Sequence, residues 1–534
     1  MILRLGAVAA LLVAAGALPC PLLIGPVLAD TLIDNVEGIA VGPDGRTERL
    51  SGLVIGNDGR IVQVLHRGEA RPGRVDFLMD GKGRVLLPGL VDGHAEVMAA
   101  GFAALTLDLS AAKSLDEAKA RIAAYSAAHG DRAWIIGRGW DDAGWGLGRL
   151  PGAADLAGLA EGRPVWLVRA DGRVGWANAA ALGAAGITAG TRDPAGGRIE
   201  RGAAVKLAAR KGAVAVSRPG APTGALVEAA MGLVERAVPA PRPEDRDLAF
   251  AKAEELFLKR GVTAVSAFGV TIEDWQTFRR AGDAGSLRLR VVGYAAGTEA
   301  MSLIGGPGPT PWLYEDRLRL NGVGLVLDGA AATGFAWAKT PGVADGGRMG
   351  ATQLRNLMSR AAIDRFQVAV EAHGDGAVGA VLDAVEELGA TYKGDRRWRI
   401  EGADMPGADG AARMAALGVT ATLMPGGMGA AADLLRGGVK IAFGSGAGGS
   451  GANVFAGLAG VGMPREQVLA GWGDGAARAA TAEGRFGRLA VGQRADFVLL
   501  DRDPLMADGA ALGETKVLET WVGGRRVWAA EPQH

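Results

Sequence analysis

The chain is short of the residues and charges on which several classes of protein depend. It contains one cysteine, Cys20, in 534 residues, so it cannot form an intramolecular disulfide framework. Lys+Arg and Asp+Glu both number 58, and 58 − 58 gives a formal net charge of zero. A neutral chain without basic runs gives no reason to expect a nucleic-acid partner or an acidic membrane surface. A small-molecule ligand or substrate is the partner we expect, and the sequence does not indicate whether the chain forms a homo-oligomer.

The apolar run at the start of the chain is too short to span a bilayer comfortably. It extends over residues 5–18 and follows Arg4, the only positive charge there. Val27-Leu28-Ala29 is typical of a signal-peptide cleavage site. Residues 1–29 are therefore predicted to be a signal peptide cleaved after Ala29, with an uncleaved anchor as the alternative. The mature protein is expected to be exported, periplasmic or secreted, without membrane attachment.

Both ends of the chain have the pattern of short strands joined by tight turns. Near the beginning, Asp44-Gly45 and Asp58-Gly59 are hairpin turn signals flanked by valine and isoleucine. Near the end, residues 495–501 and 520–528 show the same pattern of short apolar strands and turns. Residues 30–87 and 487–534 are therefore predicted to form one composite β-domain.

Between these ends, apolar strand-like runs alternate with alanine-rich helical stretches. Residues 367–371 and 398–401 are typical of buried strands, and residues 243–259 are typical of a helix that begins at Pro243. This alternation predicts the α/β class, with a parallel (β/α)8 barrel over residues 88–486. The turn-rich stretch at about 134–220 is predicted to be an insertion that covers the barrel mouth.

One stretch of the predicted barrel carries its clearest chemical signal. The apolar run Leu90-Val91 leads into Asp92-Gly93-His94-Ala95-Glu96. Side chains two residues apart on a strand point the same way, so His94 and Glu96 are expected to project together. They would lie at the strand end where barrel enzymes place their chemistry.

This sequence motif resembles that of the amidohydrolase superfamily, in which the first barrel strand ends PGxxDxHxH. The likeness is to the family 3 type, which includes N-substituted formamide deformylases. Further similar motifs lie along most of the chain, at residues 172–178, 196–199, 328–329, 367–375, 399–402, 444–446 and 487–496. The resemblance implies a (β/α)8 TIM-like barrel with a β-sandwich built from both chain ends. It also implies metal-dependent hydrolysis of carbon–nitrogen bonds other than peptide bonds.

The resemblance also implies a ligand set that this chain mostly lacks. The family pattern has two histidines on the first strand, a modified lysine on the fourth, and histidines on the fifth and sixth. An aspartate on the eighth strand completes it. The corresponding residues here are His94, Glu96, Gly324, Glu371, Gly402 and Gly446, and the histidine of the substrate loop is Arg173. Because glycine has no side chain, Gly324, Gly402 and Gly446 cannot be ligands.

The number of histidines supports the same interpretation. The chain has five, which are His66, His94, His129, His373 and His534, and three of these lie far from the predicted site. Four site histidines therefore cannot be assembled under any shift of alignment. The sequence predicts a degenerate or non-catalytic relative without the usual two-metal centre, and leaves open whether any hydrolase activity is retained.

A rebuilt site is the alternative. His94, Glu96, Glu371 and His373 offer two imidazoles and two carboxylates, which could hold one divalent metal, with zinc the most plausible. In the competing interpretation, the ring of His373 points away and bonds to the backbone. The cofactor expectation is therefore none, or at most one divalent metal.

Two further residues complete the candidate pocket. Arg173, or another cation, could neutralise Glu96 or Glu371, because buried carboxylates need a cation or must take up protons. Arg173 could instead extend into solvent, with both glutamates hydrated. Asp328 follows a strand end and could be either catalytic or turn-stabilising.

Overall fold

The computed structural model describes residues 29–531, apart from 171, 173, 195–196, 207–216, 219, 329–336, 338–348, 426, 447–453 and 459–460. The predicted signal peptide at residues 1–29 lies outside this part of the chain, except for Ala29. Within the described ranges, no helix is both long enough and apolar enough to cross a membrane.

Strands and helices alternate through the middle of the chain, and strands dominate its ends. In chain order the described strands are β1 (Ala29–Val41), β2 (Thr47–Gly56), β3 (Ile61–Leu65), β4 (Phe77–Asp80), β5 (Val85–Pro88), β6 (Leu90–Ala95), β7 (Leu107–Asp108), β8 (Ile135–Trp140), β9 (Val165–Arg169), β10 (Val174–Ala177), β11 (Gly197–Arg201), β12 (Val205–Lys206), β13 (Ser217–Arg218), β14 (Pro222–Glu228), β15 (Val262–Val270), β16 (Arg290–Ala296), β17 (Leu318–Val326), β18 (Gln367–Ala372), β19 (Arg399–Gly402), β20 (Thr420–Leu423), β21 (Lys440–Phe443), β22 (Phe497–Leu500), β23 (Val517–Val522) and β24 (Arg525–Ala529).

The helices begin where the sequence provides capping residues. Ser114 accepts a hydrogen bond from the backbone N–H of Glu117, and Thr271 does the same for Asp274. The described α-helices are α1 (Val97–Leu105), α2 (Leu115–Ala128), α3 (Ala179–Ala184), α4 (Met231–Glu235), α5 (Pro243–Lys259), α6 (Ile272–Asp283), α7 (Gly297–Gly305), α8 (Ala351–Ile363), α9 (Asp375–Gly389), α10 (Gly410–Leu417), α11 (Ala431–Arg436), α12 (Val454–Gly457), α13 (Arg465–Ala470), α14 (Ala476–Ala479) and α15 (Gly509–Gly513).

Eight parallel strands form the barrel, in the order β6, β15, β16, β17, β18, β19, β20 and β21. The two outer strands approach each other beyond their ends, where the Gly446 N–H donates to the His94 carbonyl at 2.9 Å. A Cβ atom at Gly444 would lie 2.6 Å from the backbone nitrogen of His94, so only glycine permits this close approach. The predicted TIM-like barrel is confirmed.

The two ends of the chain meet in a separate eight-stranded sheet. Its order is β24, β23, β22, β5, β1, β2 and β3, with β4 also paired to β1. The join is the antiparallel pair β22–β5, in which Phe497 lies opposite Pro88. The predicted domain built from both chain ends is therefore a single hydrogen-bonded sheet beside the barrel.

The segment between β6 and β15 forms a third sheet of six strands. It runs from β7 to β14 and so extends beyond the predicted insertion at both ends. Its own apolar cluster packs around the buried rings of Trp140 and Trp176. The insertion therefore has a core of its own.

Candidate site at the carboxyl ends of the barrel strands

His94 lies at the end of β6 and is held in one orientation by two neighbours. Its side chain is 2% exposed, and its Nδ1 lies 2.9 Å from Oε2 of Glu401 on β19. Its ring stacks on Phe268, with 4.6 Å between the ring centroids. His94 is therefore engaged with protein groups on one nitrogen and on one ring face.

Glu401 is in turn held by Arg399 from the same strand. The Arg399 Nε and one terminal nitrogen lie 2.8 and 3.1 Å from the two carboxylate oxygens. Burial alone would raise the pKa of Glu401, but Arg399 and His94 outweigh it and hold the pKa below its ordinary value. Glu401 therefore stays ionised and accepts a hydrogen bond from Nδ1–H of His94.

The Arg399 guanidinium ties together most of the barrel interior at this level. It is 1% exposed and donates to the Tyr294 hydroxyl at 2.8 Å, the Gly93 carbonyl at 2.5 Å and the Thr422 hydroxyl at 3.1 Å. Arg399 and Glu401 were not among the site residues predicted from the sequence. Their spacing could have indicated a role, because two charged residues spaced two apart in a buried strand share its inward face.

His373 forms a second charged cluster nearby, after the end of β18. Its side chain is 3% exposed, with Nδ1 2.9 Å from Asp404 and Nε2 3.2 Å from Glu371. Burial lowers the pKa of His373, but the two carboxylates raise it more, to about 9. The interpretation in which the ring bonds to the backbone is wrong, because both ring nitrogens face carboxylates.

Glu96 is half-buried at the start of α1. Burial raises the pKa of its carboxyl, repulsion from Glu371 adds to the increase, and His94 opposes it. Arg173, the predicted counter-charge, lies outside the described residues. The cation that the structure places against Glu371 is the imidazolium of His373.

Asp328 is fully buried and bonds to backbone groups. One oxygen accepts the N–H of His373 at 2.8 Å, and the other accepts those of Gly374 at 2.9 Å and Trp337 at 2.8 Å. These bonds fix the turn that carries His373. The geometry corresponds to the turn-stabilising role rather than the catalytic one.

Neighbouring side chains fill the space at the three glycines that replace ligands of the family pattern. A Cβ atom at Gly324 would lie 2.9 Å from the Phe268 ring, and one at Gly402 would lie 2.5 Å from Nδ1 of His373. At Gly446 the nearest atom would be the sulfur of Met424, at 3.1 Å. A side chain at Gly324 or Gly402 would therefore have to displace Phe268 or His373, and one at Gly446 would press on Met424.

The family's ligand positions hold His94, Glu96 and Glu371 besides the three glycines. Across the described ranges, no group of three or more His, Cys, Asp or Glu side chains is placed to hold a metal ion. His94, Glu96, Glu371 and His373 are therefore not brought together as the predicted ligand set. Both ring nitrogens of His373 are already used, and Nδ1 of His94 is on Glu401.

The fold defines the class of protein to which the chain belongs. A parallel eight-stranded barrel carries its candidate residues at the carboxyl strand ends, and a sheet from both chain termini lies beside it. A family model described as "Amidohydrolase family" matches residues 78–528. The chain belongs to the amidohydrolase family.

Similar proteins from other organisms support this membership. N-substituted formamide deformylase of Arthrobacter pascens is 28% identical over 514 residues, covering 86% of this chain and 90% of that enzyme. Protein LONG AFTER FAR-RED 3 of Arabidopsis thaliana is 30% identical over 378 residues. That match covers 65% of this chain and 61% of the plant protein, which is less than two thirds of its length.

A solved structure shows the same fold. The crystal structure of an uncharacterized metal-dependent hydrolase from Pyrococcus horikoshii superposes with a TM-score of 0.71 at 20% identity. The superposition covers 90% of this chain and 99% of that one. At this level of identity the likeness is one of fold, so the function must be argued from the site.

Proposed function

We propose that this chain is a member of the amidohydrolase family that has lost the two-metal hydrolytic centre and retains the barrel as a binding scaffold. Its ligand would be a small molecule. Residues 1–29 would direct the protein to an exported compartment. The observation that carries the proposal is the filled space at Gly324, Gly402 and Gly446. Metal-dependent hydrolysis needs a metal to lower the pKa of water and to polarise the scissile carbonyl.

The neighbours of His94 support the proposal. Its Nδ1 bonds to a carboxylate that Arg399 holds in two places, and its ring is covered by Phe268. Carboxylate–histidine pairs of this kind orient metal ligands in intact sites. Here Phe268 also fills the space at Gly324, so the orienting pair is retained while a neighbouring ligand position is closed.

The cluster around His373 supports it as well. At neutral pH the pKa of about 9 keeps His373 protonated, and a protonated imidazole has no lone pair to offer a metal. Asp404 and Glu371 are each bonded to this imidazolium. The single imidazolium therefore faces two carboxylates, and both of its ring nitrogens are occupied by protein groups.

A hydrolysis assay tests the proposal. Purified mature protein would be incubated with an N-substituted formamide, with and without added zinc, beside an active formamide deformylase as positive control. We expect the rate to equal that of the His94→Ala variant under both conditions. Zinc-stimulated turnover that disappears in His94→Ala would contradict the proposal.

A further inference from the structure

A polar pocket opens at the end of the barrel opposite to His94. Its volume is about 670 Å³, and its lining includes Arg60, Asp395, Arg397, Thr481, Glu483 and Arg485. Thr481, Glu483 and Arg485 belong to the connection between α14 and β22. The pocket therefore lies where the barrel adjoins the sheet built from both chain ends.

Three guanidinium groups beside this pocket share one carboxylate. Asp316 is buried and contacts Arg60 at 2.9 Å, Arg494 at 2.7 Å and Arg485. Burial alone would raise the pKa of Asp316, but the three arginines hold it below its ordinary value. Among the residues that the structure describes, Arg60 is the one of the three with a further carboxylate, that of Asp58 at 3.4 Å.

A fourth guanidinium has no counter-charge in the described part of the chain. Arg319, near the start of β17, lies over the Trp312 ring at 5.4 Å, and Arg485 lies over the same ring at 5.0 Å. The buried Nε of Arg319 has no hydrogen-bond partner among the described residues. Burial lowers the pKa of Arg319, and repulsion from Arg485 adds to the decrease.

The two acids that line the pocket are already used by another arginine. Arg397 contacts Asp395 at 3.1 Å and Glu483 at 2.5 Å. They carry two negative charges against one on Arg397, so that side of the pocket has one negative charge in excess. On the other side, four arginines outnumber the two carboxylates of Asp58 and Asp316; these arginines are Arg60, Arg485, Arg494 and Arg319, of which Arg60 and Arg485 line the pocket.

We infer that this pocket binds an oxyanion carried by a small molecule, with a phosphate group as the chemistry that fits. A phosphate offers two negative charges and several acceptor oxygens, and the planar guanidinium binds such groups with paired hydrogen bonds. The pocket is open to solvent, so an organic group attached to the phosphate can extend outward. The site is separate from the proposed loss of the metal centre, since it lies at the other end of the barrel.

Calorimetric titration tests this inference on the intact protein. Inorganic phosphate and glycerol phosphate would be titrated separately at constant ionic strength, with chloride as the reference anion. We expect saturable binding to one site, weakened roughly tenfold by Arg485→Gln, which removes a charged donor. Arg525→Gln is the matched control, because Arg525 is an exposed arginine on β24 outside the pocket lining.

The possible outcomes distinguish a phosphate ester from free phosphate as the ligand, and they also show whether the site binds phosphate at all. Tighter binding of the ester indicates a phosphorylated small molecule, and equal affinity indicates free phosphate; both support the site. Absence of saturable binding would overturn it. Binding that Arg485→Gln and Arg319→Met weaken no more than Arg525→Gln would also overturn it. If Arg319→Met does not fold, the partly exposed Arg485→Gln still decides the result.

Discussion

At the scale of single residues, each glycine in a ligand position has two consequences. It removes a donor atom, and it leaves space that another side chain enters. The enclosure is tightest at Gly402, where a Cβ would meet the His373 ring and the backbone φ is +102°. Both the contact and the left-handed φ oppose any side chain at this position.

Substitution of Gly402 by alanine should destabilise the protein more than the backbone conformation alone accounts for. Gly394→Ala is the control, since Gly394 has φ +94° and a Cβ there would meet nothing within 4 Å. We expect Gly402→Ala to lose about 1–3 kcal/mol more than the control, the usual cost of overpacking. Urea unfolding monitored by circular dichroism measures both. Equal losses of unfolding free energy in the two variants would contradict the prediction, because they would show that the His373 ring moves aside without cost.

The loss of ligand side chains could be read from the sequence, but the groups that replace them could not. Glycine at residues 324, 402 and 446 excludes ligation whatever the structure. Phe268, which fills one of these spaces, lies on a different strand, and its position follows from strand register and ring packing. Such contacts depend on three-dimensional neighbours, which a local sequence pattern does not specify.

At the scale of secondary-structure elements, a buried ion pair joins several barrel strands. Arg399 and Glu401 on β19 contact Tyr294 on β16, Thr422 on β20 and His94 on β6. A buried pair is costly to leave half-formed, because the remaining charge has no solvent around it. The pair therefore holds His94 and several barrel strands in one arrangement.

The costs of removing the two members of this pair should not be additive. Arg399→Met is expected to cost about 3–5 kcal/mol of unfolding free energy. Arg399→Met with Glu401→Gln should cost less than the sum of the two single changes, because no buried charge is left alone. Arg280→Met, which breaks an exposed pair with Asp247, should cost at most about 1 kcal/mol.

A double-mutant cycle measured by urea unfolding checks this coupling. Additive losses in the cycle would mean that Arg399 and Glu401 do not stabilise each other. The strand that carries both residues was predicted from the sequence, and both residues lie in a motif that resembles the family's. The sequence did not predict their partners, since Tyr294 and His94 reach them from other strands only when the barrel closes.

At the scale of the whole molecule, the architecture could be predicted better than the chemistry. Turn signals at both ends and alternating strands and helices in the middle indicated the barrel and its companion sheet, because these patterns are local. The extent of the insertion was harder to place. Its first strand, Leu107–Asp108, has only two residues and depends on pairing with β8.

The two ends of the barrel differ in how charge is balanced. At the end that carries His94, carboxylates are paired with protein cations: His373 contacts Glu371 and Asp404, and Arg399 contacts Glu401. At the opposite end, three arginines share Asp316, and Arg319 lacks a carboxylate partner in the described ranges. We therefore expect metal binding to be absent at the first end and anion binding to be present at the second.

Metal content measures the central claim most directly. Purified mature protein would be incubated with zinc, desalted and examined by elemental analysis beside His94→Ala. We predict well below one tightly bound metal per chain, and the same value for the variant, because the ligand positions 324, 402 and 446 are glycine. Two metals per chain, or one that is lost in His94→Ala, would contradict it.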